Sequence, residues 1–422
     1  MSVLADRLRG IVRPAAVVAE PGMAAGVADA LGGRWAESRG RRYVVIDRAY
    51  GPGYRHGRVA IMDAMPPWPR LSLLGGPDPS RLLFIDLETT GVAGGAGTYA
   101  FLVGCGWFDG PTFRVRQFFL STFAAETAVL DGLSELAGGT TGVVTFNGKS
   151  FDLPLIDTRF LFHRMPPPFA GVPHVDMLHP ARRLWRAADD EAPPASAGCR
   201  LSVLERTLCG VARKGDVHGF EIPGRYFAYV RSGDARPLEA VLEHNRLDLV
   251  SLALLTARVS RLLEEGPAAA RSAREALGLG RLYERGELWD LAWASYRRAI
   301  EIPSDVLTHA EAQRSHAVLC RRRRRFADAA AAWQRLLGLG RCPPHFVREA
   351  TEALAIHHEH RLRNPRAARQ FALQSLCLEA TAARRHAVRH RLARLDRKLA
   401  VPQPCLFEPE SVCLPPAVTS DR

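Results

Sequence analysis

Long apolar runs are missing from this chain. Nowhere do about 18 apolar residues follow one another, the length a bilayer-crossing helix needs, so no transmembrane span is expected. Residues 1–12 lack the apolar core and small-residue cleavage site of a secretory signal, and a cytoplasmic location is the expectation. No Cys-x-x-Cys pair occurs among the eight cysteines, at positions 105, 199, 209, 320, 342, 377, 405 and 413. Zinc sites usually draw two ligands from one tight turn, so this scatter argues against zinc and for reduced thiols. A phosphate-binding loop is also missing. Gly148, Lys149 and Ser150 echo its end, but Val143 stands where its first glycine belongs. The glycines between 91 and 97 precede a strand rather than a helix, which excludes a dinucleotide fingerprint and suggests a flexible turn. His357, His358 and His360 have no acid or cysteine partner at metal-ligand spacing.

Apolar residues make up 47% of 422, enough for a sizeable core in two or three domains, and wholesale disorder is excluded. The net charge of +13 is unevenly spread. Residues 266–422 hold 27 Lys and Arg against 16 Asp and Glu, whereas residues 1–265 hold 30 against 28. A basic field of this kind attracts polyanions, nucleic acid above all, or else forms a solvated helical face. Arg321 to Arg325, five arginines in a row, admit the same two readings.

The pattern along the chain implies an α/β domain followed by an all-α one. Residues 1–80 form an extension with short strands at 42–47 and about 56–62, and a Pro/Gly-rich approach at 65–80. From residue 81, β-branched and aromatic runs at 82–88, 98–108 and 113–120 predict an antiparallel meander, its second and third strands separated by the turn Asp109-Gly110-Pro111. A helix at 126–136, a strand at 142–148, a helix at 153–165 and a short strand at 174–178 follow. A Pro/Ala-rich loop at 192–198 leads to helices at 201–209 and about 237–264. This order is that of a mixed sheet flanked by helices over residues 81–265. Over residues 268–400 Gly280, Tyr283, Ala292, Tyr296 and Ala299 occupy the small and aromatic slots of a tetratricopeptide repeat. Ala317, Cys320, Ala329, Trp333 and Leu336 form a second copy, and Ala368 and Ala372 centre a degenerate third. Ala292, Ala329 and Ala368 lie 37 and 39 residues apart, against the usual ~34, so the helix pairs are tetratricopeptide-like. A helix at about 383–399 would cap them, and residues 401–422 read as a loose tail.

Carboxylates carry the chemistry. Asp86 and Glu88 are two apart on an otherwise apolar strand, so they share one face of the sheet. Acids there are expensive to desolvate and repel one another, which a bound cation relieves; oxygen-only ligands select Mg²⁺ or Mn²⁺. Asp152 follows the strand at 142–148, as a ligand or as the N-cap of the next helix, two roles that do not exclude one another. His244 and Asp248 are four apart and lie on one helical face, with a solvated acid as the alternative for Asp248. Four such acids would hold two ions about 4 Å apart. Asp176, at another strand end, reads as structural.

Asp86-Leu87-Glu88-Thr89-Thr90-Gly91 resembles the first motif of the DEDD exonuclease superfamily. Asn147 with Phe151 and Asp152 is similar to its second motif, and His244 with Asp248 to its third. The resemblance spans about residues 81–265, a ribonuclease H-like domain. Asp176 to Trp185 and Cys199 to Ser202 are similar to segments of the bacterial YprB-like group, which joins such a domain to tetratricopeptide-like helices. The resemblance implies a 3′–5′ exonuclease of DNA or RNA using two Mg²⁺ or Mn²⁺ ions. Asp86, Glu88 and Asp248 would hold the tighter ion, Asp86 would bridge to the second, and Asp152 would complete that one. Thr89 and Thr90 would contact the terminal nucleotide, with Asn147 and Phe151 beside them. His244 would be the general base. Its three-residue gap to Asp248 is the spacing of the tyrosine subclass, so His244 stands where a tyrosine would, as base or as orienter of the water. The basic repeats would hold the strand or a protein partner. Two rival readings are a binding scaffold with a relict nuclease domain and a ribonuclease H-like endonuclease.

Overall fold

The computed structural model describes residues 21–77, 81–91, 97–185, 199–378 and 381–400. The expected loop at 192–198, most of the glycine-rich turn at 91–97 and the tail from 401 lie outside them. The chain divides into two compact units, Met1–Pro303 and Ser304–Arg422.

In the first unit, helix α1 (Pro21–Ala30) precedes strands β1 (Arg34–Ser38) and β2 (Arg41–Tyr50). The strand expected at 56–62 is instead a minimal hairpin, β3 (Arg55–His56) and β4 (Val59–Ala60), running into a 3-10 turn at Ile61–Ala64. Gly57 makes this tight turn at φ +62°, and a Cβ there would come within 2.3 Å of the Cys209 carbonyl oxygen. The meander is present as β5 (Leu82–Thr89), β6 (Ala100–Asp109) and β7 (Thr112–Phe119). After it come α2 (Glu126–Ala137), β8 (Gly142–Thr145), α3 (Asp152–Phe162), β9 (His174–Asp176), α4 (Leu178–Trp185), α5 (Leu201–Cys209), α6 (Ile222–Ser232) and α7 (Glu239–Glu265).

Seven strands form one mixed sheet in the order β1-β2-β7-β6-β5-β8-β9. β5 is antiparallel to β6 and parallel to β8, and β9 is parallel to β8. β2, in the expected N-terminal extension, pairs with β7 from Val44 opposite Phe119 to Tyr50 opposite Phe113. Central position explains the continuous apolar run of β5, where Leu82, Leu83, Phe84, Ile85 and Leu87 are all buried. Two strands stop earlier than their apolar patterns suggest, for one reason. The Asp176 carboxylate accepts hydrogen bonds from the backbone amides of Asn147 (2.7 Å), Lys149 (3.1 Å) and Leu178 (3.0 Å). It thereby fixes the turn after β8 and the start of α4, the structural role expected of it.

Helix α7 packs along β5, β6 and β7. Its Asn245 is fully buried, and Gly104 on β6 makes room for it: a Cβ there would lie 2.1 Å from Asn245 Oδ1. Beyond α7, helices α8 (Ala273–Arg285) and α9 (Trp289–Glu301) form a pair within the first unit. Gly280 sets its spacing, since a Cβ there would meet the Tyr296 ring at 2.4 Å.

The second unit is all-α: α10 (Val306–Arg322), α11 (Phe326–Leu337), α12 (Pro344–His360), α13 (Pro365–Leu378) and α14 (Ala382–Ala400). The small and aromatic positions noted in the sequence, including Ala317, Ala329, Trp333, Ala368 and Ala372, are buried where consecutive helices meet. Arg394 and Lys398 of α14 close on the buried Glu359 of α12, each at 2.8 to 2.9 Å. Arg321 to Arg325 are all exposed at the α10–α11 turn.

Candidate active site

Asp86 and Glu88 lie on one face of β5, opposite Gly104 and Leu102 of β6. A register shift between Glu88 and Thr89 ends the regular ladder just past the acids. Asp152 is the first residue of α3. Phe151 stands at the N-cap with no side-chain cap bond, so the capping reading of Asp152 does not hold. Asp248 comes in from the middle of α7.

The four acids feel one another. Burial, then the charges of Asp248, Glu88 and Asp152, raise the Asp86 carboxyl well above its ordinary range, against the lowering effect of a hydrogen bond from Asn245. Burial, then Asp248, Asp152 and Asp216, do the same to Glu88. Asp152 is raised to about 7, chiefly by burial, although the amide of Leu87 on β5 favours its charged form. Asp248 is raised by burial and partly offset by Arg213 and His244. Oxygen-only donors that are mutually repelling and poorly solvated suit a hard divalent cation. As the side chains stand, no three His, Cys, Asp or Glu among the described residues are arranged to hold an ion. The fit therefore rests on the donor set and its electrostatics.

Buried polar groups hold these acids in place. Asn245 Nδ2 donates to the Asp86 carbonyl at 3.0 Å and to Asp86 Oδ2 at 2.8 Å. Its Oδ1 accepts from Gln117 Nε2 on β7 at 2.8 Å. One amide thus ties α7 to two strands and orients the first acid. Arg213 donates to both Glu205 oxygens at 2.7 Å and to Asp248 Oδ1 at 2.5 Å. Burial alone would raise the Glu205 carboxyl, but hydrogen bonds from His56, Arg213 and Ser251 outweigh it and hold it to about 2. His244 Nδ1 meets Asp216 Oδ1 at 2.7 Å, while its Nε2 faces Asp248 Oδ2 at 3.7 Å. None of Arg213, Asp216, Glu205 and Asn245 was singled out by sequence motif. Asn245 is 159 residues from Asp86 and Arg213 is 35 from Asp248, too far for any periodicity to link them.

The remaining expected residues are also near these elements. The Thr89 hydroxyl donates to the Gly91 carbonyl at 2.8 Å, and Thr90 Oγ1 accepts from the Tyr99 amide at 3.0 Å. Both hydroxyls thus bond to the backbone just past β5 and at Tyr99. Asn147 adopts a left-handed backbone, φ +71°, in the turn after β8. Phe151 is 56% exposed, an aromatic face presented to solvent next to Asp152. No disulfide joins any of the six described cysteines, and none belongs to this cluster.

Residues 83–260 match the RNase_H superfamily, which agrees with the seven-stranded mixed sheet and its flanking helices. Over 329 residues the chain is 30% identical to the uncharacterized protein YprB of Bacillus subtilis (strain 168), covering 76% of each chain. The chain belongs to the YprB family. Its fold is ribonuclease H-like, followed by a helical region, as the sequence implies. It also has a likeness to the family B DNA polymerase of the archaeon Pyrobaculum calidifontis, at 13% identity and a TM-score of 0.36. That match covers 67% of this chain and 34% of the polymerase, so the YprB-family chain spans about a third of its length.

Proposed function

We propose that this YprB-family chain is a cytoplasmic, metal-dependent 3′–5′ exonuclease of the DEDD type, hydrolysing phosphodiester bonds of DNA or RNA. The observation that carries this reading is the group of four poorly solvated acids, Asp86, Glu88, Asp152 and Asp248, each with its protonated form favoured by burial. Asp86, Glu88 and Asp248 would hold one Mg²⁺ or Mn²⁺, and Asp86 with Asp152 the other. When bound, such ions supply an activated water and charge stabilisation for the leaving oxygen.

The chain's own groups do the rest. Asp216 holds His244 Nδ1, which leaves Nε2 to take the proton of the attacking water. Asn245 fixes Asp86, and Arg213 fixes Asp248. The exposed ring of Phe151 would stack on the terminal base, and Asn147 would border it. Thr89 and Thr90 would contact the terminal nucleotide. The tetratricopeptide-like helices at 268–400, rich in arginine, would hold the strand or recruit a protein partner.

One observation favours a second reading, a binding scaffold with a relict nuclease domain: Arg213 already pairs with Asp248. Calorimetric titration with Mn²⁺ separates the two, because a relict site takes up no manganese at micromolar concentrations. Activity on matched single- and double-stranded DNA and RNA, with a covalently closed circle as control, tests the cleavage itself. Cutting of the circle would replace the exonuclease by an endonuclease, and inertness toward every substrate with either metal would remove the enzyme.

A further inference from the structure

Further along α7 from the acids there is a separate cavity of about 180 Å³. Leucines of α5 and α7 form its apolar wall, and its charged lining is Arg58, Arg258, Arg261 and Arg271 with Asp63 and Glu205. Its lining begins at Glu205 and Ser251, about one turn past Asp248, and extends to Arg258, roughly 15 Å along the helix axis from that acid; none of the four acids lines it.

Its charge is unbalanced. Glu205 is committed to Arg213 through two hydrogen bonds, so among the described lining residues Asp63 is the remaining acid against four arginines. Arg261 donates to the Asp63 backbone carbonyl at 2.8 Å, and Arg58 donates to the Thr207 carbonyl at 3.4 Å. Arg258 is half-buried, and among the described residues its buried Nε and Nη2 have no hydrogen-bond partner. Its nearest acid, Glu275, stands 3.8 Å away and is bonded to Trp185 Nε1 and the Arg271 amide. A guanidinium short of acceptors beside three more of the same charge is costly unless an anion completes it. Planar guanidinium groups match phosphate oxygens best. The volume lies below the roughly 300 Å³ at which drug-sized ligand pockets begin, so it suits a phosphate with a short stub rather than a large cofactor.

We propose that this cavity is a second, non-catalytic site that binds the phosphate of a small phosphomonoester, with the leucine wall taking the adjoining apolar or planar part. The site does not depend on the nuclease reading. The test is calorimetry on the full chain in EDTA, which keeps metal-dependent binding at the acids out of the signal. The probes are a nucleoside 5′-monophosphate, the same nucleoside without phosphate, and inorganic phosphate. The monophosphate is expected to bind, inorganic phosphate more weakly, and the nucleoside not at all. Arg258→Met with Arg271→Gln should weaken the monophosphate at least about tenfold, since each lost charged hydrogen bond is worth that much. Arg271 is exposed, so Arg271→Gln alone keeps the test valid where the double variant misfolds. The remote Arg389→Gln should change nothing. Absence of monophosphate binding, equal binding of the bare nucleoside, or folded cavity variants that bind like the wild type would each overturn the proposal.

Discussion

Replacing Asp152 by asparagine removes one of four repelling charges at almost constant volume, and an asparagine oxygen can still accept from the Leu87 amide. Burial raises the folded-state value of Asp152 from 3.8 to about 7. The sign follows from linkage. Between those values the folded chain holds more protons than the unfolded one, so the stability present below about pH 4 is lost as pH rises through 7. A shift of about three units corresponds to roughly 4 kcal/mol, and sharing of the protons among the neighbouring acids brings this to roughly 2 kcal/mol for one residue. In EDTA, Asp152→Asn should therefore be more stable than the wild type by about 2 kcal/mol at pH 8 and equal to it near pH 4. Urea unfolding followed by near-ultraviolet circular dichroism at the two pH values measures both. Added Mn²⁺ should reverse the order at pH 8, because the wild type gains a bound ion that the variant holds less well. A variant no more stable than the wild type at pH 8, or a gap that persists at pH 4, would refute the electrostatic account of these acids.

Asn245→Ala leaves Gln117 and Asp86 without their buried partner, and urea unfolding should show a loss of about 2–3 kcal/mol. Glu205→Gln strips the buried Arg213 of its main counter-charge and should destabilise the chain by about 3 kcal/mol at pH 7. Because Glu205 is lowered from 4.5 to about 2, its contribution is complete above 4.5 and disappears as pH falls toward 2, so the same variant should flatten the acid limb of a stability profile. Gly280→Val drives side-chain atoms into the Tyr296 ring and should lower stability by about 1–3 kcal/mol, seen as an earlier thermal transition.

Local pattern made the meander, α5, α7 and the helical region legible, since each depends on its own apolar spacing. The placement of Asp86 and Glu88 on a buried central strand was legible for a related reason: they interrupt a run that is otherwise apolar. β1 was missed because it is an edge strand of mixed composition, Arg34 to Ser38, with no fully buried position. The strand expected at 142–148 stops at Thr145 because Asp176, 29 residues away from Asn147, captures the backbone amides that would have extended it. Asp152 was open between cap and ligand, and the start of α3 at that residue removes the cap. The polar groups that hold the acids were out of reach. Gln117 meets Asn245 across 128 residues and His56 meets Ser251 across 195, distances at which single-sequence periodicity carries no information.

The most direct test of a metal-dependent nuclease is release of the terminal nucleotide from a 3′-labelled single strand by the wild type and by Asp86→Ala, with Mn²⁺ and with EDTA. The expected result is stepwise shortening from the 3′ end by the wild type with Mn²⁺ only, and none by the folded variant. Equal degradation by both proteins, or degradation by the wild type in EDTA, would contradict the assignment of these acids as the catalytic centre.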